Sequence, residues 1–413
     1  MRGQRSRKCD WAISGCLSLV LLCMVGDSRA AESEQAMDSK ILSANTKFGF
    51  KLFAEVLKGD AGKNVFVSPA SVAMALAMTY NGAAGETQQA MAGTLELEGM
   101  NLDEVNRANA ALRAKLQDAD PSVQLFIANS LWARKGISFQ PDFIGRNKEF
   151  YGAEVRALDF SDPGAAPTIN AWVSKNTKSK ITQIVDSPID PQMILFLINA
   201  VYFKGNWTHP FEKELTKERD FTLLDGTQKK HPMMSQGGSY NYYQGEKFQA
   251  VSLPYGRRRV SMYVFLPAKE SSLKEFCQNL GAENWDNWMS QFHRMEGDIV
   301  LPRFKLEYEK LLNNALKAVG MAVAFDPSRA NFAAMTSEPA FISEVKHKTF
   351  VEVNEEGTEA AAVTSVGMAL AAAPSKPPER FRMVVDRPFF FAIRDKATGI
   401  ILFMGAIVEP KSA

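Results

Sequence analysis

The chain has 413 residues, 46% hydrophobic and 23% charged, ordinary proportions for a globular protein able to bury a large core. Its formal net charge is +2, and the first thirty residues carry five basic and two acidic side chains, so their removal leaves −1. A near-neutral protein is a poor match for general nucleic-acid binding, and no such partner is expected.

Residues 1–30 are a separate object. Arg2, Arg5, Arg7 and Lys8 head an apolar run from Trp11 to Val25, and small residues follow at Ser28-Arg29-Ala30. This is the pattern of a secretory signal, and the run is short for a membrane span. Ile13-Ser14-Gly15-Cys16 has the outline of a lipoprotein cleavage box, but too little apolar sequence precedes it. The expectation is a signal at 1–30, a linker at 31–37 and one folded domain over 38–411. The product is exported, to a periplasm or beyond the cell, with no membrane anchor in the mature form. Cys9, Cys16 and Cys23 lie in the leader and only Cys277 follows it, so the exported chain has no internal disulfide. It must be held by its core alone.

Phe48, Leu52, Phe53 and Val56 recur at helical spacing and predict a helix over 38–58. Ser68 fits a helix N-cap and Pro69 the first helical position. That helix runs past small residues at Ala70, Ala73, Ala75 and Ala77 and stops at Asn81-Gly82. An exposed helix is predicted over 102–118, then an alternating strand from Val123 to Leu131. Helices follow over 140–151 and 167–179. Lys175, Lys178 and Lys180 near the end of the second read as a solvated face. Met193 to Phe203 is nearly unbroken apolar sequence, the mark of a central strand buried on both faces. Asn199 in its middle needs a hydrogen-bond partner if buried.

Strands are predicted at 217–223, 228–235, 240–244, 248–253 and 259–266. Asp225-Gly226 and Tyr255-Gly256 are turn signals, and Arg257, Arg258 and Arg259 read as a solvated hairpin tip. Helices are predicted at 271–280, 283–291 and 309–319. The strand from Ile299 to Glu307 contains Pro302, which argues for an edge or a bulge. Strands at 341–355, 381–385, 388–394 and 400–408 complete the chain. Strands and helices are interspersed without a strict βαβ rhythm, so the class is α+β.

The stretch from Asn354 to Arg380 stands apart. It holds no aromatic residue and lies between two predicted strands. Long structureless connections are usually functional. Read with the period of a strand, one face is Thr358, Ala360, Ala362, Thr364, Val366 and Met368, all uncharged and the first four small. Such a segment is able to bury one face as a strand. An alanine-rich surface helix is the plainer alternative, opposed by β-branched Thr358, Val363, Thr364 and Val366 and by Gly357 and Gly367.

Chemistry of other kinds is missing from the pattern. His209, His231, His293 and His347 have no metal-ligand spacing, and neither a Walker loop, a dinucleotide fingerprint nor a nucleophile elbow is present. No metal and no cofactor is expected. Ser68, Ser71 and His347 could supply a nucleophile and a base, but buried polar groups satisfying one another are the commoner arrangement. Asn206-Trp207-Thr208 is a glycosylation sequon whose tryptophan is flanked by apolar strand, so burial is expected rather than modification.

Glu355-Glu356-Gly357-Thr358-Glu359-Ala360-Ala361-Ala362 resembles the hinge of the serpins, the serine-protease-inhibitor family. Asn64 with Ser68-Pro69 and Ser71 resembles the start of the family's helix B. Asn199 to Trp207 resembles its third strand of sheet A with the tryptophan just beyond. Pro388-Phe389-Phe390-Phe391 and Phe403-Met404-Gly405 resemble its C-terminal strands. The motifs run in the family's order over nearly all of the exported chain.

The resemblance implies a serpin fold of three β-sheets, A, B and C, with eight or nine helices and an exposed reactive loop at about 356–380. It implies a metastable monomer whose loop is cut by a target serine protease. The protease is trapped as a covalent acyl complex while the loop enters sheet A as a new strand. About a dozen new ladder hydrogen bonds at ~1 kcal/mol each would suffice for a large rearrangement.

Carried over by residue, Ser68, Ser71, Asn199 and His347 match the shutter beneath sheet A. Trp207, Arg303 and Glu355 match the breach, with Arg303 and Glu355 as an ion pair. The family's spacing from Thr358 puts the reactive bond at Ala371-Ala372, with Leu370-Ala371 next, and Lys376 is followed by Pro377. Such a bond suits elastase-like or subtilisin-like proteases. A non-inhibitory carrier is the second reading, and a Ser/His hydrolase the third. Residues 102–118 carry only three basic side chains, so no glycosaminoglycan cofactor is expected.

Overall fold

The periodic apolar residues Phe48, Leu52, Phe53 and Val56 are all buried along α1, a helix over residues 39–59. This computed structural model describes residues 39–117, 120–358 and 379–411. The leader, the linker and the segment from 359 to 378 lie outside the described residues. So do Glu359, Ala360, Ala361, Ala362, Leu370, Ala371 and Ala372 of the expected hinge and reactive bond.

Nine α-helices and fifteen strands make up the described residues. Strand β1 (Val65–Val67) leads into α2 (Pro69–Tyr80), whose twelve residues are all buried. Ser68 and Pro69 take the N-cap and first-turn places, but the Ser68 hydroxyl does not cap the helix. α3 (Gly85–Thr94) had no counterpart among the predicted elements. α4 (Leu102–Gln117) turns Val105, Ala108 and Leu112 into the core, so it is amphipathic rather than exposed.

The six-stranded sheet is built from β2 (Val123–Arg134), β3 (Glu154–Leu158), β4 (Leu195–Asn206), β10 (Phe304–Leu311), β11 (Glu344–Asn354) and β12 (Gly357–Thr358). Its order is β10-β11-β12-β4-β2-β3, with β11 and β4 also paired directly. Both of its faces are covered around β4. Leu195, Leu197, Val201 and Phe203 join the main core. Phe196, Ile198 and Tyr202 join a second cluster with Ile169 and Val173 of the helix Ala165–Asn176. That two-sided burial is why β4 reads as unbroken apolar sequence.

The other sheet has nine strands. One part carries β5 (Lys217–Thr222), the start of β6 (Gln228–Gln244), β9 (His293–Pro302) and β13 (Arg380–Val384). The other carries the end of β6, β7 (Phe248–Pro254), β8 (Val260–Pro267), β14 (Phe389–Asp395), β15 (Ile401–Ile407) and β1. The fold implied by the resemblance is therefore present. Two of its three sheets are hydrogen-bonded into one, because β6 pairs β9 through Tyr242 and β7 from Asn241. The two strands predicted at 228–235 and 240–244 are this single long strand.

Two sequence expectations need correction. Pro302 does not bulge one strand; it ends β9, and the chain passes through Arg303 into β10 of the other sheet. The helix expected over 309–319 is strand to Leu311, and a helical turn over Asn313–Leu316 precedes a widened, π-helical segment to Met321. α2 lies between the two sheets, touching β4 and β2 on one side and β15 on the other. Among the described residues no helix is long and apolar enough to cross a membrane.

Candidate functional site

Strands β4 and β11 form the central seam of the six-stranded sheet. Over its lower part they pair in parallel, from Phe196↔Glu344 to Tyr202↔Phe350. Above that they part. β12 sits between them, antiparallel to both, with Gly357 and Thr358 opposite Asn206 and Gly205 on one side and Asn354 and Val353 on the other.

Register explains the polar group in the lower seam. Asn129 of β2 lies opposite Asn199 of β4, which lies opposite His347 of β11. Side chains directly opposite share a face, so the three form a row across the sheet, aimed at α2. Asn199 Nδ2 donates to Asn129 Oδ1 at 2.5 Å and also to Ser71 Oγ, and Asn199 Oδ1 meets His347 Nδ1 at 2.5 Å. The Ser68 amide donates to His347 Nε2 at 3.1 Å. An acceptor at Nε2 fixes the neutral tautomer with its proton on Nδ1. Burial holds the His347 pKa down at about 3 against an ordinary 6.5.

The expected shutter residues are thus brought together, and Asn129 joins them. Their arrangement does not serve a hydrolase. The Ser68 hydroxyl donates to Leu402 O at 2.7 Å, Ser71 Oγ accepts from Asn199, and all four residues are buried. Neither hydroxyl meets the imidazole.

The upper seam is organised by a glycine. Gly357 has φ +147°, and a Cβ there would fall 2.2 Å from Gly205 O and 2.6 Å from Asn206 Cα. Only glycine fits. Asn354 Oδ1 accepts from the Glu356 and Gly357 amides at 3.1 and 3.2 Å and closes the turn before it. Thr358 is fully buried, and its Oγ1 lies 2.9 Å from the Tyr255 hydroxyl. Burial pushes that phenol well above its usual range.

Trp207 stacks on Tyr255 with ring centroids 4.4 Å apart, and its Nε1 donates to Asn354 O at 2.9 Å. The Trp207 and Phe211 amides donate to Glu356 O and Glu355 O at 3.0 and 2.8 Å. The tryptophan of the sequon is therefore buried, as expected. Arg303 and Glu355 are paired at 3.6 Å, and Glu355 also accepts from Thr216 Oγ1 at 2.7 Å. Lys213 meets Glu356 at 2.7 Å on the surface. Tyr255 was legible only as part of a turn, and no sequence signal marked it as the partner of Thr358.

Arg257 and Arg258 are exposed, as the solvated reading of the triplet expects, and Arg259 alone departs from it. Arg259 binds the buried Asp395 through Nε and Nη2 at 2.8 and 3.2 Å. The pairing spans 136 residues and has no local sequence signal.

The family model described as "Serpin (serine protease inhibitor)" matches residues 43–410. The human leukocyte elastase inhibitor is 35% identical over 383 residues, covering 90% of this chain and all of that one. The native structure of tengpin, a thermophilic serpin, superposes with a TM-score of 0.82 at 31% identity, covering 89% of this chain and 94% of tengpin. Human thyroxine-binding globulin, solved with its ligand, has the same TM-score at 26% identity, covering 91% of this chain and all of the globulin. With the family's model matched over most of its length and its fold reproduced in both sheets, the chain belongs to the serpins.

Proposed function

We propose that the chain is an exported suicide-substrate inhibitor of serine proteases with an apolar specificity pocket. The observation that carries this is the placement of β12 between β4 and β11. Each residue forward along the hinge moves the pairing one residue back along both neighbours. From Thr358 opposite Gly205 and Val353, the same register brings Thr364 between Asn199 and His347, and Val366 between Leu197 and Val345. Thr364 belongs to the small, uncharged face and carries a hydroxyl. It arrives where the entering strand breaks the Asn199–His347 hydrogen bond and can itself bond both groups. The sequence of the loop thus fits the seam it would enter.

In this reading a protease serine attacks the Ala371 carbonyl, the bond to Ala372 breaks, and the new amine departs with the C-terminal segment. Loop entry then strands the ester on Ala371, with Leu370-Ala371 as the neighbouring alternative. The name of the leukocyte elastase inhibitor fits an apolar residue at the cut. Export rests on the leader at 1–30, and the protein acts as a monomer without a cofactor. The likeness to thyroxine-binding globulin favours a carrier as second reading, opposed by the small hinge residues Ala360, Ala361 and Ala362.

Incubation with an elastase should give an SDS-stable complex and release a fragment beginning at Ala372. Cleavage of the loop with no complex and no gain in thermal stability supports the carrier and overturns the inhibitor.

A further inference from the structure

A pocket opens beside the hinge, between the segment after β4, strands β6 and β7, and two turns. Its lining includes Trp207, His209, Ser252, Arg258, Arg294 and Lys396. Four of these six carry nitrogen donors that are cationic or can become so. Arg258, Arg294 and Lys396 have no carboxylate within ion-pair distance among the described residues, unlike Arg259 one position on. Of the acidic side chains nearby, Asp395 is held by Arg259 and Asp120 accepts from the Arg257 amide, while Glu296 and Asp298 lie beside Tyr240. Asp298 is paired with Arg380 at 3.5 Å, and neither lines the pocket.

Donors in the pocket outnumber acceptors. Arg258 Nη2 donates to His209 Nε2 at 3.0 Å, which leaves the ring proton on Nδ1. Arg294 spends only its Nε, on Ser239 Oγ at 2.8 Å. Ser252 is 2% exposed, and its Oγ is buried without any hydrogen-bond partner. A stranded buried hydroxyl is destabilising, so its persistence beside three cations without ion pairs calls for an explanation. Arg258 also holds φ +72°, an uncommon place for an arginine. Burial and the charges of Arg258 and Arg294 hold the His209 pKa below its ordinary value. Burial, Arg258 and Arg394 do the same to Lys396. Like charges have been gathered where an opposite charge would relieve them.

We propose that this pocket binds a small oxyanion, a phosphate or sulfate group, held by the Arg258 and Arg294 guanidinium groups, the Lys396 ammonium and the Ser252 hydroxyl. Guanidinium forks match tetrahedral oxyanions, and the hydroxyl supplies the inner donor.

The test titrates the full chain with inorganic phosphate and, separately, sulfate at ionic strength held constant with chloride. Tryptophan fluorescence and the thermal midpoint are read together, since Trp207 lines the pocket. Both should saturate. The double variant Arg258→Ser with Arg294→Ser should bind about tenfold more weakly or worse, while Arg257→Ser, just outside the pocket, should keep native affinity. If the double variant does not fold, Lys396→Gln takes its place with the same expectation. A response that never saturates, or one unchanged in the pocket variants, overturns the proposal. Inhibition of a protease is a separate readout, so loss of one leaves the other standing.

Discussion

Below Tyr202 and Phe350, strands β4 and β11 are hydrogen-bonded to each other and locked by a buried polar row. Above that point they part around Gly357 and Thr358, and charged side chains gather at the rim. The polar row itself gains nothing from ion pairing, since every group in it is neutral. It relies on hydrogen bonds between buried neutral groups. The upper half relies on a glycine that fits and on ion pairs that solvent screens. If the loop enters this seam as proposed, it enters from the top, and the neutral row is what it must open.

The largest effect should follow Asn199→Ala. This change strands Ser71 Oγ, Asn129 Oδ1 and the Nδ1 proton of His347 in a buried site. At ~1–3 kcal/mol for each stranded group the loss should be about 3 kcal/mol or more. It should show as a lower denaturant midpoint with little change in slope. A cost below about 1 kcal/mol would mean the row is incidental to the seam.

How much of this was visible beforehand depends on where each partner lies in the chain. Asn199 stood out as a polar residue in an apolar run, and its need for a partner could be stated at once. That the partner is Asn129 depends on register across β2 and β4, which alternation alone does not set. Most strands survived as elements because their apolar period is strong, but β1 and β3, three and five residues long, were too short to show one. α3 did not, because Gly-Glu-Thr-Gln-Gln shows no apolar face at its start. Pro302 was legible as a breaker, but not as the point where the chain changes sheets. Trp207, Arg303 and Glu355 were reached through family resemblance. Arg303 reaches the hinge through its ion pair, but the bonds from the Trp207 and Phe211 amides and from Trp207 Nε1 end on backbone carbonyls that leave no trace in side-chain sequence.

The second effect is a pH dependence from the same row. His347 has a folded pKa of about 3 against 6.5 for an exposed imidazole. Above pH 6.5 the ring is neutral in both states and contributes no slope. As pH falls below 6.5 the unfolded chain takes up a proton that the folded chain refuses, so stability falls until about pH 3. The slope should approach 1.4 kcal/mol per pH unit, giving about 2 kcal/mol at pH 5. His209 and His231 are also held below their ordinary values and add slope of the same sign. The measurement is therefore the difference between the native chain and His347→Gln. Parallel pH profiles would place the acid sensitivity elsewhere and remove the neutral row as its cause.

The smallest effects belong to the rim, and they separate two ion pairs that look alike on paper. Glu356 and Lys213 are 2.7 Å apart, closer than Glu355 and Arg303 at 3.6 Å. Distance nevertheless gives the wrong ranking. The Lys213 side chain is 66% exposed, whereas the Glu355 side chain is 5% exposed and Arg303 is 34% exposed. An exposed pair gains little, loses side-chain entropy and weakens in salt. Lys213→Ala should leave the unfolding midpoint unchanged within error, at low salt and high. Arg303→Ala leaves the Glu355 carboxylate inside the seam with the Thr216 hydroxyl at 2.7 Å and only Lys213, outside ion-pair distance, as a nearby cation. The partial exposure of Arg303 limits the cost to about 1 kcal/mol, and added salt should barely change it. If Lys213→Ala proved the costlier of the two, rim charge rather than burial would be holding the upper seam, and the contrast between its halves would fail.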